Sequence, residues 1–408
     1  MELIIFDLKL FLLLYADDAV IFSETIEGLQ NALNYMSTYC DKWRLTLNSE
    51  KTKIVIFRKG SRVSKKEKWV YKGNALEVVN CFKYLGIVLA CGGSNHITQK
   101  TLSVQAKKAC FGLLKNVNDF SNMPVTVLCD LFDKTILPIL NYGCELWGFG
   151  KADDIERVHL WFCKVILKVK SSTVNEMVYG EVGRHPVFID RNLQILRYWF
   201  KILKSPDDRL IKHVYAGMCR RCENGNDDKN WSWHVKNLLF TYGFGHVWVN
   251  QGVGDEQAFY KCFLQRQKDM YQQSFTEKVN GYSKTRLYRH IYEIYQIPFY
   301  IECVYNIRYR QAITKLRTCN HRLYSETGRW RRPPVPFDER ICSLCDVLED
   351  EYHFVLICGK FTTLRRKYIQ KYYYTRPSME KFVSLLNSKK KRQIHNLGIF
   401  LYKAFKEM

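Results

Sequence analysis

The chain has 408 residues, 47% of them hydrophobic and 14% aromatic, enough for a sizeable core and for two or three domains rather than one. A formal net charge of +23 leaves the fold open but points to a polyanionic partner, nucleic acid before an anionic membrane. Fifteen scattered cysteines argue against a disulfide framework and for a reducing compartment, intracellular, nucleus and cytoplasm, where an ordered cysteine cluster signals metal.

The opening run MELIIFDLKLFLLLY is interrupted by Glu2, Asp7 and Lys9, too short and too charged for a membrane span or a signal peptide. The charge is uneven: residues 359–408 hold 13 basic side chains and 2 acidic ones. In LLLYADDAVIF, Leu12–Tyr15 and Ala19–Phe22 read as two strands joined at Ala16-Asp17-Asp18. A tight hairpin lifts both carboxylates to one sheet edge, where adjacent like charges call for a cation. Carboxylate oxygens suit Mg2+ or Mn2+. Taken alone, Y-x-D-D fits a surface turn better than a metal site.

Next, SETIEGLQNALNYMSTYCDKW carries Ile26, Leu29, Leu33, Met36 and Tyr39 at helical spacing, with Ser23 or Thr25 as cap. RLTLNSEKTKIVIF predicts a turn at Asn48-Ser49-Glu50 and a strand at Ile54–Phe57. WVYKGNALEVVNCFKYLGIVLA reads as a hairpin turning at Gly73-Asn74, then an apolar strand. Residues 94–117 predict a helix with Ala106, Ala109, Leu113 and Leu114 on one face and Lys100, Lys107, Lys108 and Lys115 mainly elsewhere. Those lysines suit phosphate contacts or a solvated face.

Residues 151–330 are mostly helical and aromatic. His213, Cys219, Cys222 and His234 lie there at spacings that match no zinc finger, and Glu223–Asn230 reads as a flexible loop. RRPPVPF at Arg331–Phe337 marks a boundary. After it, Cys342-x2-Cys345-x7-His353-x4-Cys358 supplies three thiolates and an imidazole, a donor set for one Zn2+. The Arg-, Lys- and Tyr-rich flanks, among them KFTTLRRKYIQKYYYTR with Arg365, Arg366 and Lys367, suit phosphate contact and base stacking.

Strand, helix, strand and hairpin around an acidic turn make a polymerase palm, and the chain resembles the reverse transcriptases of non-LTR, LINE-type retrotransposons. YADD at Tyr15–Asp18 resembles the family's motif C, LTLNSEKTKIVIF motif D, FKYLGIVL at Phe82–Leu89 the primer grip of motif E, and ILPILNYGCELWG at Ile136–Gly148 the thumb. The resemblance implies that Asp17 binds both catalytic metals and Asp18 assists less directly. It sets Tyr15 and Ala16 beside the primer end and incoming nucleotide. It gives Lys51 or Lys53 the role of general acid for the leaving pyrophosphate. Phe82, Tyr84, Leu85 and Gly86 then belong to the primer grip.

These readings together predict an α+β chain. Residues 1–91 form a partial palm, 92–150 a thumb, 151–332 a helical linker, and 333–408 a zinc knuckle with a basic tail. The implied partners are an RNA template, a DNA primer or target and dNTPs, with no membrane. The family's motif A aspartate and Gly-rich motif B precede motif C by many residues, and neither is found here. The expectation is therefore a reverse-transcriptase fragment, inactive alone, with weak metal binding at the palm. The alternative is a noncatalytic zinc-knuckle RNA- or DNA-binding protein from a decayed element.

Overall fold

A computed structural model describes residues 3–5, 8–58, 67–116, 123–223, 229–292 and 295–408. Glu2, Asp7, Val117 and residues 224–228 of the expected loop lie outside them. Two compact units alternate along the chain: Met1–Leu102, Tyr142–Ala152 and Asp190–Phe263 make one, and Ser103–Asn141, Asp153–Ile189 and Leu264–Met408 the other. Helices dominate, and the strands described form only two-stranded sheets.

In the first unit, β1 (Leu3–Ile5) pairs with β2 (Leu8–Leu10), and β3 (Leu12–Tyr15) with β4 (Asp18–Ile21), both antiparallel. Tyr15 sits opposite Asp18, so the turn is Ala16-Asp17 alone, and Asp18, expected in the turn, opens the second strand. Ala16 adopts φ 51°, a left-handed conformation that places strain at the turn.

Helix α1 (Ile26–Trp43) starts at Thr25, whose hydroxyl accepts the Gly28 N–H at 3.0 Å. Its inner face runs through Leu33 to Cys40. Tyr39, expected on that face, is exposed, because the next inward position after Met36 is four residues on. Tyr35, Tyr39 and Trp43 make an outward aromatic stripe.

β5 (Lys53–Ile54), β6 (Val70–Tyr71), β7 (Asn74–Ala75), β8 (Glu77–Val78), β9 (Cys81–Tyr84) and β10 (Ile87–Ala90) follow. The strand expected over Ile54–Phe57 is shorter and starts one residue earlier, since β5 pairs parallel with the two-residue β8. The β6–β7 turn is Lys72-Gly73, one residue before the expected Gly73-Asn74. Both take positive φ, 47° and 82°, as a type I′ turn requires. The apolar strand expected around Phe82–Leu89 is a hairpin, β9–β10, turning at Leu85-Gly86. Leu33, Ile54, Trp69, Tyr71 and Leu76 form the core beneath, and the Trp69 indole donates to the Ile26 carbonyl at 3.0 Å. A second core in this unit gathers Leu196, Trp199, Phe200, Val235, Leu239 and Phe263.

Helix α2 (His96–Asn116) buries Leu102, Ala106 and Cys110; Ala109, Leu113 and Leu114, expected to share that face, are only half-buried. The second unit is helical. Glu181 is fully buried and accepts Arg317 Nε at 3.0 Å and the Tyr300 hydroxyl, so its charge is paired and hydrogen-bonded. Residues 359–408, expected to form a basic tail, instead fold into this core through Phe382, Leu385, Ile394, Leu397, Phe400 and Leu401. Gly398 lets helix Lys391–Ala404 approach Tyr309: a Cβ there would lie 2.9 Å from the Tyr309 Cβ.

Candidate functional site

The region after Phe337 is built around two local devices. Cys342 N–H donates to Val347 O at 2.7 Å and Glu349 N–H to Arg340 O at 2.8 Å, folding a short loop that presents Cys342 and Cys345. Asp350 Oδ1 accepts the His353 N–H at 2.8 Å and starts a π-helical turn, His353–Ile357. That turn closes with the Cys358 N–H donating to His353 O at 2.8 Å, across five residues. Cys342, Cys345, His353 and Cys358 thereby offer ligand atoms all within 4.8 Å of one another, with Cys345 Sγ 4.0 Å from Cys358 Sγ.

The donor set fits zinc. His353 is buried, and neither ring nitrogen has a hydrogen-bond partner among the described residues. An imidazole left so costs free energy unless something binds it. Burial, then the nearby Arg365 guanidinium, holds its pKa below the usual value, in the neutral form that ligates metal. Burial pushes the Cys358 thiol up to about 11, with the Cys345 and Cys342 sulfurs adding to the rise. A divalent cation among the sulfurs reverses that direction.

A second group, Cys319, His321 and Glu351, also comes within 4.8 Å, and nothing in the sequence had singled it out. Its donors are already used. His321 Nε2 and Glu351 Oε1 are 2.9 Å apart, His321 Nδ1 accepts the Leu323 N–H at 3.3 Å, and Arg286 lies 3.5 Å from Glu351 Oε2. Burial raises the Glu351 carboxyl, but the His321 contact and then Arg286 outweigh it and hold the pKa at about 2. This is a satisfied buried network, with a cation already beside it. Cys219 and Cys222 assemble no such group among the described residues; Cys222 Sγ contacts Asn230 Oδ1 at 3.3 Å and Ser232 Oγ at 3.2 Å.

At the other end of the chain, Tyr15, Ala16, Asp17 and Asp18 are all exposed on the β3–β4 hairpin. Two adjacent carboxylates suit Mg2+ that takes its remaining ligands from phosphates and water; no third acidic, Cys or His donor joins them among the described residues. Lys51 is exposed in the Asn48 turn, where its N–H donates to Asn48 Oδ1 at 3.1 Å. Lys53 is engaged 2.6 Å from Glu77 Oε2. Phe82 and Tyr84 lie half-buried on β9, and Leu85 and Gly86 form its turn. The Tyr142 hydroxyl donates to Leu85 O at 3.0 Å, and a Cβ at Gly86 would meet Tyr142 Cε1 at 2.6 Å, so a side chain there requires the ring to shift. Phe82–Leu89 and Ile136–Gly148, two segments read separately in the sequence, touch here.

Lys107 and Lys108 are exposed on α2, with Lys107 Nζ 5.5 Å from the Trp161 ring centre. Arg366 and Lys367 are exposed on helix Thr362–Tyr368. Arg365 differs. Counted among phosphate-contacting residues by sequence, it is buried, donating from Nε to Val355 O at 2.7 Å and from Nη2 to Cys358 O at 2.8 Å. Its signal was the apolar spacing of Phe361, Arg365 and Ile369, which sets it on the inner helical face.

Residues 1–89 match the family described as reverse transcriptase (RNA-dependent DNA polymerase). Over 178 residues, 42% of this chain and 61% of the relative, the chain is 27% identical to a putative uncharacterized transposon-derived protein of Caenorhabditis elegans. Over 166 residues, 39% of this chain and 18% of the relative, it is 21% identical to the RNA-directed DNA polymerase from mobile element jockey of Drosophila melanogaster. Over 196 residues, 47% of this chain and 20% of the relative, it is 24% identical to the probable RNA-directed DNA polymerase from transposon X-element of the same organism. The matched segment thus spans about a fifth of each Drosophila polymerase and 61% of the nematode protein. No solved structure matches.

Proposed function

We propose, given that this chain is a relative of the reverse transcriptases of non-LTR, LINE-type retrotransposons, that it carries the motif C-to-knuckle part of such an RNA-directed DNA polymerase. Its partners in this reading are an RNA template, a DNA primer or target and dNTPs, in the nucleus and cytoplasm, and its reaction is target-primed copying. Among the described residues no helix is long and apolar enough to cross a membrane. The observation that carries the reading is the hairpin holding Asp17 in a strained two-residue turn, within the stretch that matches the family. Asp17 and Asp18 would hold the divalent ions, Mg2+ or Mn2+. These, when bound, lower the pKa of a primer 3′-hydroxyl and neutralise the leaving pyrophosphate. Lys51, exposed beside the motif D turn, is the better placed general acid, because Lys53 is committed to Glu77. Cys342, Cys345, His353 and Cys358 would hold Zn2+ and fix the C-terminal surface that carries Arg366 and Lys367.

Motif A and motif B are not found in these 408 residues, so the chain alone is expected to bind nucleic acid without extending it. The test offers it a primed RNA template with dNTPs and Mg2+ or Mn2+. Binding should weaken steeply with salt, with a log–log slope of several, and survive Asp17→Ala. Extension lost in Asp17→Ala overturns the inactivity; absence of any nucleic-acid binding overturns the reading.

A second reading, a noncatalytic zinc-knuckle nucleic-acid-binding protein, draws on the contrast between the four converged knuckle donors and the exposed carboxylate pair. Supplying the motif A and B region in trans separates the two: restored extension favours the polymerase.

A further inference from the structure

One open cleft belongs to neither the carboxylate hairpin nor the knuckle. It lies within the second unit, with a volume of about 500 Å3, and is lined by Lys164, residues 171–176, residues 282–284 and Arg329. Most lining side chains are basic or hydroxylated. Lys164 Nζ is oriented across it by Ser171 O at 2.7 Å and Asn175 Oδ1 at 3.0 Å. Arg329 is fixed to Ser283 through its Oγ at 3.1 Å and its carbonyl at 3.0 Å. Glu176 lies 3.4 Å from Lys278 and Arg329 3.3 Å from the buried Glu326, so the cations the cleft offers to a ligand are chiefly Lys164 and Lys284. Helix Asn175–Val182 starts at the cleft wall with no side-chain cap on its first turn, adding backbone N–H donors.

The rim supplies a different chemistry. Trp330, the residue after Arg329, is 57% exposed. Lys170, the residue before Ser171, sets its Nζ 4.7 Å from the Trp330 ring centre. The Trp330 indole face is open to solvent next to a basic cleft. It is what an unpaired base stacks on.

We infer that this cleft binds one unpaired nucleotide of an RNA strand, with its phosphate against Lys164 and Lys284 and its base on Trp330. The volume suits a single nucleotide and is too small for a duplex. Ser171, Ser172 and Asn175 offer hydroxyl and amide partners to a 2′-hydroxyl. The inference rests on the nucleic-acid-binding reading above and deepens it, adding a strand-specific contact that uses neither Asp17 nor the four knuckle donors.

The test uses the full chain with a fluorescent single-stranded RNA 12-mer, the same sequence as DNA, and the RNA as a duplex, titrated across a salt series. Trp330→Ala should weaken single-stranded RNA binding about tenfold, equivalent to ~1.4 kcal/mol and within the range of one base stack. Duplex binding should be unchanged, and Trp330→Phe should recover most of the loss. Lys164→Ala with Lys284→Ala should lower the log–log salt slope by about two. The three side chains, Trp330, Lys164 and Lys284, are exposed or half-buried, so an unchanged thermal midpoint verifies folding. Wild-type binding that is unaltered in these variants overturns the cleft and leaves the wider reading standing. Equal loss on duplex, or equal wild-type affinity for the DNA strand, overturns the assignment to unpaired RNA. A wild type with no RNA affinity overturns both.

Discussion

Arg365 donates to the carbonyl oxygen of Cys358 at 2.8 Å, so a buried guanidinium backs the last of four converged side chains that could hold a metal ion. Its second bond, to Val355 O at 2.7 Å, grips the π-helical turn that begins at His353. One side chain thus fixes the spacing between a nitrogen and a sulfur donor, and its positive charge lies close to sulfurs that must become thiolates. Arg365→Gln is expected to raise the rate at which zinc is lost to a metallochromic chelator by about 10- to 100-fold while the helical circular dichroism is retained. Zinc loss at the wild-type rate would show that the brace is dispensable.

Elemental analysis of the purified chain should find one zinc per molecule. Cys345→Ser should abolish it, and chelation of the wild type should loosen residues 338–361 first. The Cys342–Cys345 loop is the part expected to depend on ligation, while Glu351, Phe354 and Phe361 hold the following turn to the rest of the unit. A metal content near zero, with the loop still protected from hydrogen exchange, would contradict the assignment.

Ala16→Gly should stabilise the β3–β4 hairpin. Holding Ala at φ 51° costs about 1–2 kcal/mol, whereas glycine adds about 0.5–1 kcal/mol of unfolded-state entropy. The left-handed term wins by roughly half to one kcal/mol, and Ala16 is exposed, so no packing is lost. Hydrogen exchange of the hairpin amides should slow about two- to fivefold. Faster exchange would mean that the turn is not strained.

Gly86→Ala should cost about 1–3 kcal/mol in chemical denaturation, since it combines φ 84° with a Cβ 2.6 Å from the Tyr142 ring. The ring is at the surface and can swing away. Adding Tyr142→Ala removes the clash but not the backbone strain, so the double variant should show less than the sum of the single losses. Strict additivity would separate the two residues.

Lowering the pH should destabilise the second unit between about 6.5 and 4. Burial, then Lys268 and Arg184, holds the His185 pKa at about 4. Burial, then Arg184, drives fully buried His159 well below its usual value, while its Nε2 accepts Arg184 Nε at 3.0 Å. Unfolded imidazoles take up protons near pH 6.5 that the native ones refuse, so stability is full above that value and falls as the pH drops toward 4. His185→Gln should flatten part of this slope in urea denaturation at matched zinc. A slope identical to the wild type would exclude His185.

Much of the candidate site was legible because its residues are close in sequence. The knuckle donors span seventeen residues, and local spacing alone predicts that they meet. The hairpin around Asp17 was legible for the same reason, though the register Tyr15 to Asp18 was not, since Leu12–Tyr15 and Ala19–Phe22 are continuous apolar runs that keep an apolar side chain on each face after one residue of slip. Turns at Lys72-Gly73 and Leu85-Gly86 follow from left-handed backbone that a lysine and a leucine do not advertise. What composition hid was the C-terminal fold. Charge counting treats Arg365 like Arg366, but helical phase buries one and exposes the other. The contact between Tyr142 and the Leu85-Gly86 turn joins residues 57 apart, beyond the reach of any local pattern.

The alternation of the two units along the chain has a consequence for cutting it. Neither unit is encoded by one uninterrupted stretch, because Tyr142–Ala152 and Asp190–Phe263 belong with the first hundred residues while the segments between them belong with the last. A protease nick at any one boundary leaves fragments that still share a unit and so should co-elute under native conditions while separating in denaturant. A deletion that removes everything beyond Leu102, Asn141, Ala152 or Ile189 strips pieces from both units at once. Neither half can be discarded cleanly, and damage by shortening should register as loss of solubility across the whole polypeptide rather than as loss of one activity.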